Sequence, residues 1–196
     1  MRPPHMRDFL IPKNEHASHG VPPSIHWKPW KIEIVAQFDA ESLRVCPPPD
    51  HLDWNKLGGF SRGFINNKHI PASMLHLVNS YRIGWRLNSV TDCIEFAPYQ
   101  YNRGERIAVD SPTPASYIGF APQIIKSRPI DSLRNEPWHK FKIFIADGVW
   151  YKGDDMCMLS LPSEDLPPIG KLARPRHGGN LASQTDITGR ISLRVE

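Results

Sequence analysis

The sequence is short of most features that announce an activity. Its 196 residues include three cysteines, Cys46, Cys93 and Cys157, and no CxxC pair. An odd, widely spaced set allows one bridge at most and excludes a disulfide-stapled scaffold, so the thiols read as buried or half-buried side chains. No apolar run approaches the roughly 18–20 residues of a membrane span. The opening MRPPHMRDFLIPKNEHASHG lacks a continuous apolar stretch followed by small residues. A secretory signal is therefore not expected, and the sequence does not choose between a cytoplasmic and a virion location.

Long helical periods are also missing. The 20 prolines are about twice ordinary usage and favour turns and irregular connections. There is no internal repeat and no low-complexity linker, and the length suits one domain. Charge is nearly balanced, with 24 basic against 20 acidic residues and a net of +4. The nearest approach to a basic cluster is KLARPRHGG (171–179). Without a basic stripe interleaved with aromatics, or a recognisable module, nucleic-acid binding is not indicated.

What is present is alternation with a period of two, the mark of half-buried strands. It is clearest in WKIEIVAQF (30–38), with SLRVC (42–46) as its continuation, and in NSYRIGWRLN (79–88) and TDCIEFAPYQYN (91–102). Further runs are RIAV, SYIGFAP (116–122), DMCMLSL (155–161) and GRISLRVE (189–196). KFKIFIADGVWYKG (140–153) reads as a hairpin around Asp147–Gly148, a dipeptide suited to a two-residue type I′ turn. DHLDWNKLGG (50–59) carries helix signals instead, with Asp50 as N-cap and Gly58 as the stop.

Eight to ten short strands, with almost no helix and no βαβ alternation, predict an all-β antiparallel sandwich, jelly-roll or concanavalin-like, over residues 30–196. Residues 1–29 read as an irregular Pro/His-rich arm with a short strand at DFLIP. A tight turn at Asn88–Thr91 would set Trp85 opposite Ile94, Ile83 opposite Phe96, Gly84 opposite Glu95 and Arg82 opposite Ala97.

Several patterns invite a chemical reading. GFSRG (59–63) matches the nucleophile elbow G-x-S-x-G, but that elbow needs a strand turning into a helix, and FINNKHIP is a poor helix. A Gly-flanked strand needing close backbone approach is the plainer reading of Ser61. His139 and several aspartates follow in a permissible order, as they would in most chains of this size. Glycosidase chemistry needs two convergent carboxyls. Asp92 and Glu95 are three apart on a strand and point to opposite faces, and no other pair is better placed. His16 and His19 in EHASH are not backed by a third spaced ligand, so no metal site is expected. No catalytic residue, metal or cofactor is assigned.

That leaves the polar face of the 79–102 hairpin. It carries Ser80, Arg82, Gly84 and Arg86 beside Cys93, Glu95, Ala97, Tyr99 and Tyr101. Arginine forks and tyrosine rings around small residues suit a shallow site for a sugar, a peptide or a carboxylate. Arg82, Arg86, Glu95, Tyr99 and Tyr101 are the candidate ligand-binding residues. The competing reading is structural, an Arg82–Glu95 ion pair bridging the sheet to whatever covers it.

Three stretches together resemble a family of short β-sandwich proteins from bacteria and their phages. Its runs are NKL-x-GFS-x-G, NS-x-RIGWR and a GGN-containing tail. The matching residues here are Asn55, Lys56, Leu57, Gly59, Phe60, Ser61 and Gly63; Asn79, Ser80, Arg82, Ile83, Gly84, Trp85 and Arg86; and Gly178, Gly179, Asn180 and Asp186. A histidine pair before NS is displaced by INNKHIPASMLHLV, HGGN replaces an aromatic-GGN form, and the N-terminal fifty residues have no counterpart. The resemblance implies a jelly-roll fold and a non-catalytic role, with no activity to carry over.

The sequence thus leads to a non-catalytic binding or structural module, with protein subunits of a phage virion or surface assembly as the leading partners. The arm is the kind of segment that orders on a neighbour. A glycan-binding module is the alternative, and a hydrolase or lyase acting on polysaccharide or ester comes third.

Overall fold

The computed structural model describes residues 5–22, 24–44, 54–62, 79–88, 90–102, 105–107, 124–134, 138–145, 149–153, 156–160, 169–177, 183 and 185–196, with backbone alone for 44, 62, 102, 105–107, 134, 156–160 and 169. Among these residues the strands are β1 Arg7–Ile11, β2 Ile25–Trp27, β3 Lys31–Phe38, β4 Asn55–Arg62, β5 Ser80–Asn88, β6 Cys93–Asn102 and β7 Glu105–Ile107. They continue with β8 Lys126–Pro129, β9 His139–Ile145, β10 Val149–Gly153, β11 Met156–Ser160, β12 Ile169–Ala173 and β13 Ile187–Val195. One short helix, α1 (Ala40–Arg44), and a 3-10 turn at Ile130–Arg134 complete the set. No helix among the described residues is long and apolar enough to cross a membrane.

The strands form two antiparallel sheets, as the alternation predicted. The first runs β1-β13-β3-β9-β10-β11, and the second β2-β12-β4-β5-β6. Two strands share the last edge of β6, β7 along Gln100–Asn102 and β8 along Cys93–Phe96. In β3, Ile32, Ile34, Ala36 and Phe38 are buried while the residues between them are half-buried. In β5, Tyr81, Ile83, Trp85 and Leu87 join the same core. The sheets lock through rings: Phe38 of the first packs on Trp85 of the second at 4.9 Å, and Phe96 lies 4.9 Å from Phe141 and 4.8 Å from His139. Such contacts add to a large apolar burial term.

The segment read as an irregular arm or wrap supplies an edge strand to each sheet. β1 pairs with β13 and β2 with β12. Phe9, Ile11 and Val21 are buried in the main core. Between the two strands the chain crosses from one sheet to the other, with Ser18 N–H donating to Pro175 O at 3.1 Å and His177 N–H to His16 O at 2.8 Å. DFLI is a strand as expected, but its alternating apolar residues pack inward on this chain's own sandwich.

Two local expectations exchanged places. The run after Phe38 is helix α1 rather than more strand, because Asp39 caps it: its Oδ1 accepts from Glu41 N–H at 3.1 Å. The expected helix over 50–59 is instead the start of β4 from Asn55, residues 50–53 lying outside the described set. Gly58 does not stop a helix there. It sits at a β-bulge where the pairing slips between Lys56 and Gly58.

Hairpin registers also differ from the tight-turn expectation. Asn88 pairs with Cys93, so four residues turn the chain. Asn88 Oδ1 accepts from the N–H groups of Val90 and Thr91, and Asp92 takes a positive φ of 50°. The register slips by two, which keeps every side chain on its expected face but changes its partner: Trp85 faces Phe96, Arg86 faces Glu95, and Arg82 faces Tyr99. In the second hairpin Ile145 pairs with Val149, leaving three residues in the loop instead of two. Those three, and SYIGFAP, lie outside the described residues.

On the outer face of the first sheet, Lys31 bonds Glu196 at 2.7 Å and Glu33 at 3.3 Å, and Lys142 reaches Glu33 at 3.3 Å. Partial burial pushes the Glu33 carboxyl up, but the two lysine bonds outweigh it and hold it below its ordinary range. A carboxyl lowered in the fold stabilises it above the ordinary pKa and loses that contribution as pH falls through the folded value. Acid titration of Glu33→Gln should therefore show a shallower loss of stability below pH 5 than the native chain.

Ile11→Ala should cost about 3 kcal/mol and Trp85→Ala about 4 kcal/mol in urea denaturation, as large-to-small changes in one shared core do. An Ile11→Ala chain as stable as the parent would mean that β1 is not part of the folded unit.

Candidate functional site

The candidate residues lie on the outer face of the second sheet. Directly paired residues share a face, so the ladder can be read across. Ile25, Lys171, Ser61, Ser80 and Tyr101 form one row, and Ala173, Gly59, Arg82 and Tyr99 the next. Lys56, Gly84 and Ala97 form a third, which Arg176 extends through paired backbone bonds with Lys56 at 2.7 and 2.8 Å. Four strand spacings of about 4.8 Å make the first row on the order of 19 Å long.

The bulge in β4 makes this arrangement possible. Lys56 and Ser61 differ in parity and would face opposite sides of a regular strand. The extra residue at Leu57–Gly58 resets the alternation, so Leu57 and Phe60 enter the core while Lys56 and Ser61 both face out. Gly59 beside it takes φ +144°, and an added Cβ would strike the backbone of Tyr81 and Arg82. The close approach expected of GFSRG is thus real and belongs to Gly59.

Small residues line the middle of the face, and two cation–ring contacts flank them. Gly84 leaves room for Trp54, whose ring would be crowded by a Cβ there at 3.1 Å. The Arg86 guanidinium lies 4.8 Å over the Trp54 ring, and the Lys56 amine 4.6 Å over Tyr99. Tyr99 and Tyr101 hydroxyls are 3.3 Å apart.

The expected Arg82–Glu95 pair is not formed. The register brings Arg86 to Glu95 instead, Nε to Oε2 at 2.8 Å, and Asn88 Nδ2 donates to the other carboxylate oxygen at 2.8 Å. Glu95 is buried and both of its oxygens are used, which makes this pair structural. Arg82 donates from one Nη to Ser61 Oγ at 2.7 Å. Its side chain is on the outer face yet only 3% exposed, and its Nε has no hydrogen-bond partner. Burial and then the neighbouring charge of Arg176 push its pKa down to about 10, against partial support from Tyr99, Tyr101 and Tyr151. Arg176 is lowered too, by burial and by Arg174.

Exposure changes across the face. Ser80, Ala97 and Tyr99 are buried, Ser61 and Tyr101 half-buried, and Lys171 exposed. At the far edge Ile25 is 62% and Trp27 65% exposed. The face is closed around β5 and β6 and opens toward β2.

Of the motif residues, Gly59, Ser61, Ser80, Arg82 and Arg86 converge on this face. Trp85 points into the core, Asn79 is half-buried just before β5, and Gly63, Gly178, Gly179 and Asn180 lie outside the described residues. Trp54, Lys56, Arg176, Lys171 and Trp27 also belong to the face but were not singled out as site residues. KLARPRHGG already marked two of them, and the parity switch at the bulge hid Lys56.

The other sites considered fall apart in space. Ser61 faces outward, whereas His139 is in the core against Phe96, so they form no dyad. His19 bonds Glu15 at 2.8 Å, and His16 packs against His177. Cys93 is a free thiol whose Sγ donates to Thr91 O. A cleft of about 820 Å³ beside β1, β13 and α1 includes Asp8, Asp39 and Arg190. Asp39 caps α1 and accepts from Thr188, and Asp8 bonds Arg190 at 3.0 Å, so these carboxylates are committed to structure. No protein-family model matches this chain, and no curated protein matches its sequence.

Glu95→Ala should cost about 2 kcal/mol, since it strands a half-buried cation, whereas the Glu95→Ala/Arg86→Met double change should recover much of that loss. Urea midpoints of the two variants test the structural role. Equal losses in both would mean that the pair is not what holds the hairpin there.

Proposed function

We propose that the protein is a non-catalytic binding module that receives a glycan on the outer face of its second sheet. The observation that carries this reading is the face itself. Exposed Trp27 and Ile25 stand at its open edge, and from Ile25 the ladder passes over Lys171 and Ser61 toward a buried arginine and two tyrosines. Sugars bind where an aromatic ring can lie against a pyranose and a few fixed polar groups read its hydroxyls. The absence of a Ser61–His139 dyad and the commitment of Glu95 to Arg86 weigh against hydrolysis or elimination at this face. The resemblance of NKLGGFSRG and NSYRIGWR to the bacterial and phage sandwich family agrees with a non-catalytic role.

A second reading, a virion or surface assembly component, has one observation of its own. Ile25 and Trp27 are large, exposed and on a strand that ends the second sheet, which is how an unpaired edge recruits another chain. The N-terminal segment no longer favours it, because β1 and β2 pack on this chain.

Glycan-array screening followed by calorimetry tests the first reading. Trp27→Ala should weaken binding at least ten-fold without moving the melting temperature, since the ring is exposed. Light scattering tests the second: a monomer at high concentration that binds sugar through Trp27 rules out assembly through β2. Self-association lost in Trp27→Lys, with no sugar bound, rules out the glycan reading.

A further inference from the structure

Resting on the glycan reading, we infer that the sugar taken by this face is acidic, its carboxylate received between Arg82 and Arg176. Several cations on the outer faces meet a carboxylate, Arg86 of the second sheet among them, and Arg82 and Arg176 stand apart from these. On the first sheet Lys31, Lys142, Arg190 and Arg194 each meet a carboxylate. On the second, among the described residues, neither Arg82 nor Arg176 meets one, and the nearby Glu95 is fully used by Arg86 and Asn88.

What this face leaves over is donors. Arg82 Nε and Trp54 Nε1 are both buried without hydrogen-bond partners, and both side chains lie on the outer face, about Gly84. A buried guanidinium whose Nε has no partner, next to a second like charge, is an unfavourable arrangement in the free protein. An oxyanion entering it would gain charge-assisted bonds and separate the two cations. Carboxylate fits better than a point anion because the guanidinium fork matches its two oxygens, and Ser61 already fixes the plane of that fork. The rest of the face sorts the carboxylate's carrier. From the open edge inward, a sugar ring bearing an acid would meet Trp27 and Ile25 first, then Lys171, then Ser61.

The test compares uronate oligosaccharides with their carboxyl-reduced counterparts, which keep the backbone and lose the charge. The native chain should bind the acidic form at least ten-fold more tightly, with an advantage that shrinks as sodium chloride rises. Arg82→Met should abolish the preference while leaving the unliganded melting temperature equal or higher, since an uncompensated buried charge is removed. Arg176→Gln, at a half-buried position, should reduce the preference in a chain that folds normally, whatever the fate of Arg82→Met. Equal binding of acidic and reduced forms would overturn the inference and leave the glycan reading standing, whereas binding of neither would overturn both. A preference that survives in both variants, or an unliganded Arg82→Met protein melting several degrees lower, would show that the charge is already compensated within the fold.

Discussion

Strand β5 satisfies two opposite environments at every second residue, and the sandwich is built around that demand. Tyr81, Ile83, Trp85 and Leu87 fill the space between the sheets, where Trp85 meets Phe38 of β3. Ser80, Arg82, Gly84 and Arg86 face the other way and are also largely enclosed. A strand buried on both sides normally reads as continuously apolar. This one places charge on its second buried face, where each charged group must find a partner or remain costly. Arg86 solves the problem with Glu95, and Arg82 solves it only in part with Ser61. Register is fixed by the same demand, since a one-residue slip would put two arginines into the core and a tryptophan outside it.

Closure of the sandwich falls to the N-terminal segment. β1 covers the edge of β13 and β2 the edge of β12, with residues between them bonded to 175–177. The strand edge at β13 is thereby protected from pairing with other chains. β2 itself is the new edge, three residues long, and shortness is one of the ways in which an edge is made safe. Its two exposed apolar residues run against that precaution, which is why they call for a ligand or a partner.

Period-two patterning was legible wherever a strand was long enough to repeat it. β3, β5, β6, β9, β10 and β13 were all visible, and so was the sorting of β5 and β6 into an apolar and a polar face. Registers were less accessible because they depend on loops. Asn88 bonding Val90 and Thr91 makes a four-residue turn that nothing in the alternation announces. The same slip moved the ion pair from Arg82 to Arg86 without moving either side chain to another face. The first half of β4 was hidden by its bulge, because Gly58–Gly59 looks like a helix stop, and only the GFSRG half read as strand. β2 was hidden by length, three residues being too few to establish a period. Half of the site was therefore readable, the half on the regular hairpin. The half on β4, β12 and β2 depends on the bulge and on long-range pairing.

The charge pattern ties these features together. With 24 basic and 20 acidic residues, the chain has enough carboxylates to pair most of its cations, and on the first sheet it does so. Surface pairs of that kind contribute little each and are screened by salt, so their arrangement is mostly a matter of solubility. Arg82 is a different case. It lies under the outer face of a strand that could have carried an apolar residue there, and burial with Arg176 beside it holds its pKa down to about 10. That is a penalty of about 3 kcal/mol by the pKa difference, carried at neutral pH. The bulge that turns Ser61 toward Arg82, and Gly59 at a φ only glycine tolerates well, are further local concessions at the same spot. Three departures from the cheapest local structure, converging on one outward-facing guanidinium, are hard to account for by packing alone. They are accounted for if that guanidinium is held ready for an acceptor that, beyond Ser61, the described residues do not supply.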